Sequence, residues 1–370
     1  MKTNIIINDD AIKAMKNIKD NSIDLIFADP PYWMRTDGEL TRVEGTKFDG
    51  VYEEWDKFES LEEYEQFTRN WLTEVKRILK KDGSFWVIGG MQCIYTVGSL
   101  MHELGFWIIN DVIWQKSNPT PNFKGTRLRN SHETLIWATK SKNSKYHFNY
   151  KTAKELNFED VDSIEFNKGK RIQMGSIWKF PVCSGNERLK DSSGNKLHST
   201  QKPETLLYRI LAINTQENDI VLDPFAGTMT TAAVAKKMGR HFIMIENDGN
   251  YCAYGKKRLD NIVPYIGDIE KAIYDIKPPK VTMEEMILSG YFYENEKFFF
   301  KNSDEYAKLT KKGKLIYNNE LLDMHTCAAV VSGRKAKRLN GFSYWYVLRN
   351  DERVSIEQIR LSYRKKLEII

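Results

Sequence analysis

The sequence predicts an α/β protein built on an open, parallel-rich sheet and followed by a smaller second domain. Short apolar runs alternate with helical patterns along most of the chain. A Lys277-Pro278-Pro279-Lys280 segment interrupts that alternation, because consecutive prolines stop a helix and favour extended chain. A length of 370 residues exceeds one ordinary core and falls short of three. The expected boundaries are 1–276 for the large domain and 277–370 for a linker and a small basic domain.

In chain order, residues 4–8, 24–28, 84–88, 111–114, 134–138, 220–222 and 242–245 read as strands. Residues 61–80 carry apolar side chains at helical spacing, and residues 203–212 place Pro203 in a first helical turn before Leu206, Leu207, Ile210 and Leu211. Two stretches break the pattern, 33–58 and 116–171, both rich in Gly, Asn, Lys, Arg and aromatics. Irregular stretches this long inside a compact domain usually carry function.

No stretch approaches the roughly 18 uncharged apolar residues of a membrane span, so the expectation is a soluble, cytoplasmic protein with no membrane partner. Cys93, Cys183, Cys252 and Cys327 lack the close pairing of zinc sites or disulfide frameworks, which excludes both classes and leaves no metal implied. The formal net charge is +6. From Lys280 onward 17 Lys and Arg stand against 12 Asp and Glu, an excess that favours a polyanionic partner or forms a solvated face.

Strand 24–28 ends in Asp29-Pro30-Pro31-Tyr32, at the carboxyl edge where open α/β sheets bind ligands. The two prolines fix the loop and remove two amide donors. An exocyclic adenine amine is a poor nucleophile, because its lone pair is delocalised into the ring. Asp29 can accept one of its N–H bonds and the Pro30 carbonyl the other, while Tyr32 offers a ring on which an extruded base stacks. Positioning that amine in line with a sulfonium methyl needs no metal. The bare tetrapeptide reads equally well as a turn closing a strand. The second half of the sheet weighs against that: Asp223-Pro224-Phe225-Ala226-Gly227-Thr228-Met229-Thr230 follows a strand as a tight small-residue turn and a helix start. Such a turn offers backbone amides and close approach to a nucleoside cofactor. Glu246 ends the next strand 19 residues after Gly227, where a carboxylate can bind two ribose hydroxyls.

These residues resemble the β-class amino-methyltransferases, in which the catalytic motif precedes the cofactor motif. The resemblance implies a permuted Rossmann-like, S-adenosylmethionine-dependent methyltransferase fold, with Asp29, Pro30, Pro31 and Tyr32 catalytic. It also implies a cofactor site at Asp10, Asp29, His198, Thr200, Gln201, Lys202, Asp223, Phe225, Ala226, Gly227, Thr228, Thr230 and Glu246. Within it, Lys202 and its neighbours face the methionine carboxylate and Asp10 contacts the cofactor adenine, although Asp10 also reads as a helix N-cap. Met229 departs from the pattern, standing where that family usually has a second glycine, and this puts cofactor affinity in question.

Residues 114–127, continuing through Asn130, His132, Glu133 and Trp137, resemble the recognition region of the HinfI and CcrM family, whose members methylate adenine in GANTC. The resemblance covers nearly all of 1–275, including Trp55-Asp56-Lys57-Phe58. It implies N6 methylation of a flipped adenine in GANTC, with DNA as partner. A homodimer and a cognate restriction endonuclease acting on the same site stay open. Ser117, Asn118, Asn122, Lys124, Arg127 and Arg129 are the candidate DNA contacts, since arginines pair with guanine edges, asparagines with adenine and lysine with phosphate. Taken singly, each also reads as a surface residue touching only backbone. In the last domain Arg334, Lys335, Lys337 and Arg338 precede Asn340-Gly341-Phe342-Ser343-Tyr344-Trp345-Tyr346, a mixture that holds phosphates and stacks bases, or else packs as core. Methylation of RNA adenine, methylation of protein glutamine and a non-catalytic DNA-binding role are the competing readings.

Overall fold

A computed structural model of the chain describes residues 1–34, 40–41, 47–48, 56–122, 126–159, 173–198, 200–264, 281–333 and 336–368. These fall into two compact units, Met1–Asp275 and Ile276–Ile370.

The first unit runs β1 (Ile5–Asn8), α1 (Ala11–Lys16), β2 (Ile23–Ala28), a small hairpin of β3 (Leu40–Thr41) and β4 (Lys47–Phe48), α2 (Leu61–Ile78), β5 (Leu79–Gly89), α3 (Ile94–Glu103), β6 (Trp107–Lys116), β7 (His132–Thr139), α4 (Tyr150–Glu159), β8 (Ile177–Phe180), α5 (Glu204–Asn214), β9 (Ile220–Asp223), α6 (Thr230–Lys237), β10 (His241–Glu246) and α7 (Gly249–Asp260). Eight strands form one sheet in the order β1-β10-β9-β2-β5-β7-β6-β8. The pairs from β1 to β5 are parallel, while β7 runs antiparallel to both β5 and β6. Residues of β2, β5, β9 and β10 are buried almost continuously, as strands covered by helices on both faces must be.

Local chemistry explains the helix limits. Ser60 caps α2 by accepting from the Glu63 amide at 3.1 Å, and Tyr64, Thr68, Trp71, Leu72, Val75 and Ile78 line its buried face at helical spacing. The chain then enters β5 without a loop, two residues before the helix end read from spacing. Pro203 is the N-cap of α5 rather than part of its first turn, with φ −71° and ψ 144°. Strand β8 had no sequence signal, because its four residues alternate exposed and buried beside an irregular stretch.

β7 takes the end of the expected recognition region into the sheet. Trp137 stacks on Trp86 at 5.3 Å, and Trp114 is buried with its indole N–H donating to the Phe180 carbonyl at 3.0 Å. Both are core residues beneath the segment that carries the candidate DNA contacts.

Among its described residues, the second unit holds a six-stranded antiparallel sheet with three helices, its core built on Phe298, Leu309, Cys327 and Trp345. Trp345 is fully buried, its indole N–H donating to the Met324 carbonyl at 3.0 Å, and Phe342 lies beneath the Arg360 guanidinium, 3.6 Å from the ring centroid. These two aromatics are therefore core and not a base-stacking surface. Tyr344 is half-buried and stacks on Phe300 at 5.6 Å. Among the described residues no helix is long and apolar enough to cross a membrane.

Candidate active site

The register of the central strands sets the site. Leu25 pairs with Val221 and Ile26 with Leu222, so Asp29 at the end of β2 and Asp223 at the end of β9 leave the same sheet edge side by side. Met244 pairs with Asp223 and Asn8 with Glu246, which adds Glu246 and the Asp9-Asp10 turn to that edge. One cavity of about 280 Å³ opens there. Asp10, Asp29, His198, Thr200, Gln201, Lys202, Asp223, Phe225, Ala226, Gly227, Thr228, Thr230 and Glu246 all line it, with Pro30, Pro31 and Tyr32.

In the cofactor-type loop Gly227 has φ +48°, a left-handed conformation that glycine adopts without strain. Its amide donates to Glu246 Oε2 at 2.7 Å, and Glu246 Oε1 accepts from the Asp248 amide at 2.8 Å. Each carboxylate oxygen keeps a second lone pair for a ligand hydroxyl. Asp223 is buried and closes the turn, accepting from the Phe225 amide at 3.0 Å and the Thr231 hydroxyl at 2.6 Å; burial lifts its carboxyl to about 7. Arg258 braces the loop from α7, donating to the Thr228 carbonyl at 3.0 Å and to Glu204 at 2.7 Å.

Met229 answers the question its sequence position raised. It holds φ +61°, is fully buried and lies outside the cavity lining. Its side chain packs against Gly255 of α7, where a β-carbon would stand 2.2 Å from Met229 Cγ. The thioether occupies room left by a glycine one helix away.

Asp10 does cap α1, accepting from the Lys13 amide at 2.8 Å, while also lining the cavity. Gln201 ties down the preceding strap, accepting from the Leu189 amide at 3.0 Å and donating to the Glu187 carbonyl at 2.9 Å. His198 Nδ1 accepts from the Thr200 amide at 3.1 Å, which places the ring proton on Nε2. Burial, with Lys202 and Arg188 nearby, lowers its pKa to about 4, so the ring is neutral at pH 7.

The catalytic loop is held by groups to which the sequence assigned no part in anchoring it. Asp56 accepts the amides of Tyr32 at 2.6 Å, Trp33 at 2.7 Å and Met34 at 2.8 Å. The Tyr64 hydroxyl donates to the Pro31 carbonyl at 3.0 Å. Among the described residues no donor reaches the Pro30 carbonyl. Asp29 Oδ2 pairs with Lys202 Nζ at 2.7 Å, and its Oδ1 lies 2.9 Å from the Tyr32 hydroxyl. That hydroxyl is also 3.2 Å from Glu133 Oε2, and Glu133 Oε1 pairs with Lys116 Nζ at 2.6 Å. Lys202 thus faces the catalytic loop while lining the cavity. Burial pushes the Asp29 carboxyl up against the pull of Lys202. Burial opposes the charge on Lys202 too, yet Asp29 and Glu133 hold its ammonium above the ordinary range.

The segment between β6 and β7 starts and ends at this cluster. The Lys116 amide donates to the Ser131 carbonyl at 2.8 Å beneath the Lys116–Glu133 pair. Within it Ser117, Asn118, Arg127 and Arg129 are exposed and Asn122 is half-buried, while Lys124 lies outside the described residues. The Asn118 carboxamide oxygen accepts from the Val182 amide at 2.9 Å and that of Asn122 from the Thr126 amide at 3.2 Å. In the second unit Lys337 is exposed and Arg338 pairs with Asp323 at 3.0 Å; Arg334 and Lys335 lie outside the described residues.

A family profile described as DNA methylase matches residues 23–257. The Type II methyltransferase M.HinfI of Haemophilus influenzae is 46% identical over 360 residues, which cover 97% of this chain and 96% of that protein. The Type II methyltransferase M2.LlaDCHI of Lactococcus lactis subsp. cremoris is 38% identical over 262 residues, 70% of this chain and 91% of that one. Among solved structures, the PvuII DNA methyltransferase (cytosine-N4-specific) aligns with a TM-score of 0.51 at 20% identity, over 73% of this chain and 92% of that one, a likeness of Rossmann-type fold. With similarity reaching across nearly the whole length, the chain belongs to the N6/N4 DNA methylase family and is a site-specific, S-adenosylmethionine-dependent DNA methyltransferase.

Proposed function

We propose that the protein methylates N6 of an adenine flipped out of duplex DNA within GANTC. The observation that carries this reading is the half-buried Asp29 beside an unclaimed Pro30 carbonyl, at the mouth of the cavity that contains Gly227 and Glu246. Two acceptors on neighbouring residues of the cavity lining suit the two N–H bonds of an exocyclic amine.

The donor set of the cavity fits S-adenosylmethionine: Glu246 for ribose hydroxyls, the Phe225 ring and apolar neighbours for the purine, and Asp10 at its rim. Bound there, the cofactor supplies a sulfonium methyl, whose C–S electron pair stays on sulfur when the methyl leaves. Asp29 and the Pro30 carbonyl hold the amine so that its lone pair points at the incoming carbon and forms the N–C bond. Asp29, its carboxyl raised by burial, is the nearest acceptor for the proton that N6 then loses. Tyr32 provides the ring against which the base stacks, and Asp56 keeps that ring in place through three loop amides.

The 117–131 segment reads the site, with Ser117, Asn118, Asn122, Lys124, Arg127 and Arg129 as contacts. GANTC follows from its resemblance to the HinfI and CcrM recognition region. Lys337 of the second unit, with Arg334, Lys335 and Arg338, adds phosphate contacts. We expect the enzyme to act in the cytoplasm; a homodimer and a companion restriction endonuclease are compatible with the same resemblance and stay open.

Single-turnover transfer from labelled S-adenosylmethionine to duplexes with GANTC, a one-base variant or a premethylated site tests the reading. Label only in the unmodified GANTC duplex supports it. Equal label in all unmodified duplexes sinks the site, and label in RNA but not DNA sinks the substrate.

A further inference from the structure

Resting on the adenine-methylation reading, the geometry points to Glu133 as a positioning residue that takes the Lys202 ammonium from Asp29 when the target amine enters. Both Asp29 oxygens are engaged without DNA, Oδ1 by the Tyr32 hydroxyl at 2.9 Å and Oδ2 by Lys202 at 2.7 Å. Lys202 Nζ also lies 5.2 Å from the centroid of the Tyr32 ring. It therefore fills the two contacts that the adenine amine and ring require, an acceptor at Asp29 and a place against Tyr32.

The ammonium opposes the chemistry there. The amine must share the Asp29 oxygen that Lys202 holds, and positive charge grows on N6 as the N–C bond forms. A cation beside N6 opposes that charge, whereas a bare Asp29 carboxylate stabilises it. Away from Asp29, Lys202 would keep only the Thr200 carbonyl at 3.4 Å inside a desolvated cavity, so a second carboxylate must receive its charge.

Glu133 is placed to do so. Its Oε2 is 3.7 Å from Lys202 Nζ, and a close ammonium–carboxylate contact of about 2.8 Å lies within roughly 1 Å of side-chain movement. The cluster holds two carboxylates, Asp29 and Glu133, against two ammoniums, Lys116 and Lys202. Its formal charge is zero before and after the transfer, so no proton has to move. Because Lys116 and Glu133 close the base of the 117–131 segment, DNA bound by that segment bears directly on the carboxylate that receives Lys202.

The test compares Glu133→Gln, Glu133→Gln/Lys202→Met and Lys202→Arg with wild type in single-turnover transfer to the GANTC duplex. Calorimetric affinity for S-adenosylmethionine and thermal unfolding accompany each variant. Glu133→Gln, with no charge to draw Lys202 away, is expected to slow transfer about 10- to 100-fold, the range of one charge-assisted hydrogen bond, with cofactor affinity within threefold of wild type. Removing the ammonium as well is expected to recover at least part of that loss. Lys202→Arg is expected to be slow too, because a guanidinium fork grips both carboxylates at once. Three results each overturn the inference: Glu133→Gln at the wild-type rate, a double variant no faster than Glu133→Gln, or Lys202→Arg at the wild-type rate. Should Glu133→Gln fail to fold, the arginine variant decides alone. Wild-type transfer to adenine with unaffected variants removes only this inference, whereas absence of wild-type transfer removes the adenine reading and the inference with it.

Discussion

Replacing Asp56 by Asn isolates the contribution of loop anchoring to catalysis. The carboxylate accepts three successive amides, those of Tyr32, Trp33 and Met34, at 2.6, 2.7 and 2.8 Å, and its residue is 8% exposed. An Asn side chain has one oxygen and one amino group, so in either orientation at least one loop amide faces another donor. A hydrogen bond to a charged acceptor is worth about 1.5–3 kcal/mol, and the contacts that survive lose their charge assistance. A total cost of about 2–4 kcal/mol corresponds to roughly 30- to 1,000-fold. Because these bonds hold only the loop, the cost is expected as a lower population of the ordered loop. The single-turnover rate at saturating cofactor and DNA should fall by that factor, with little change in Tm. Global destabilisation would instead lower Tm by about 2–4 °C per kcal/mol. A variant rate within threefold of wild type would refute the anchoring role.

Asp29→Ala is expected to lower turnover by at least about 100-fold while leaving duplex binding in gel-shift assays intact, and retained turnover discards the assignment. Gly255→Ala places a carbon 2.2 Å from Met229 Cγ and should destabilise the first unit by about 1–3 kcal/mol; Met229→Gly in the same chain should restore most of the Tm, and no restoration breaks the pairing. Burial lifts Asp223 to about 7 from 3.8, so the folded state keeps a proton that the unfolded chain releases. That stabilisation is complete below about pH 3.8 and is lost as pH rises through about 7. Wild type should therefore lose stability relative to Asp223→Asn across that window and run parallel to it above, in melts against pH; parallel curves throughout would contradict the shift. Arg127→Ala should weaken discrimination against a one-base variant duplex by about 1–3 kcal/mol in competition binding, and unchanged discrimination excludes it from base reading.

Parts of the site were legible because backbone geometry constrains which residue can serve. A prolyl loop ending a strand, a glycine at φ +48° and a carboxylate ending the next strand leave few substitutes, so Asp29, Gly227 and Glu246 show through in local sequence. Glu133 and Asp56 fell within segments marked by the resemblance, yet their roles stayed unassigned, because those roles depend on which strand end their long segments reach. A lone carboxylate among polar residues carries no local mark of burial or partner. The aromatic-basic runs left two readings open for the opposite reason: aromatics such as Phe342 and Trp345 look alike whether they stack bases or pack a core, and only burial and the Arg360 contact separate the two. Met229 looked like a defect in the cofactor loop, since its compensating Gly255 lies on another helix.

The most direct test of the central claim is the identity of the methylated nucleoside. DNA carrying GANTC would be incubated with the enzyme and labelled S-adenosylmethionine, digested to nucleosides and resolved by mass. All label in N6-methyladenine, absent with Asp29→Ala, is the expected result. Label in N4-methylcytosine, or transfer that survives loss of Asp29, would contradict the account.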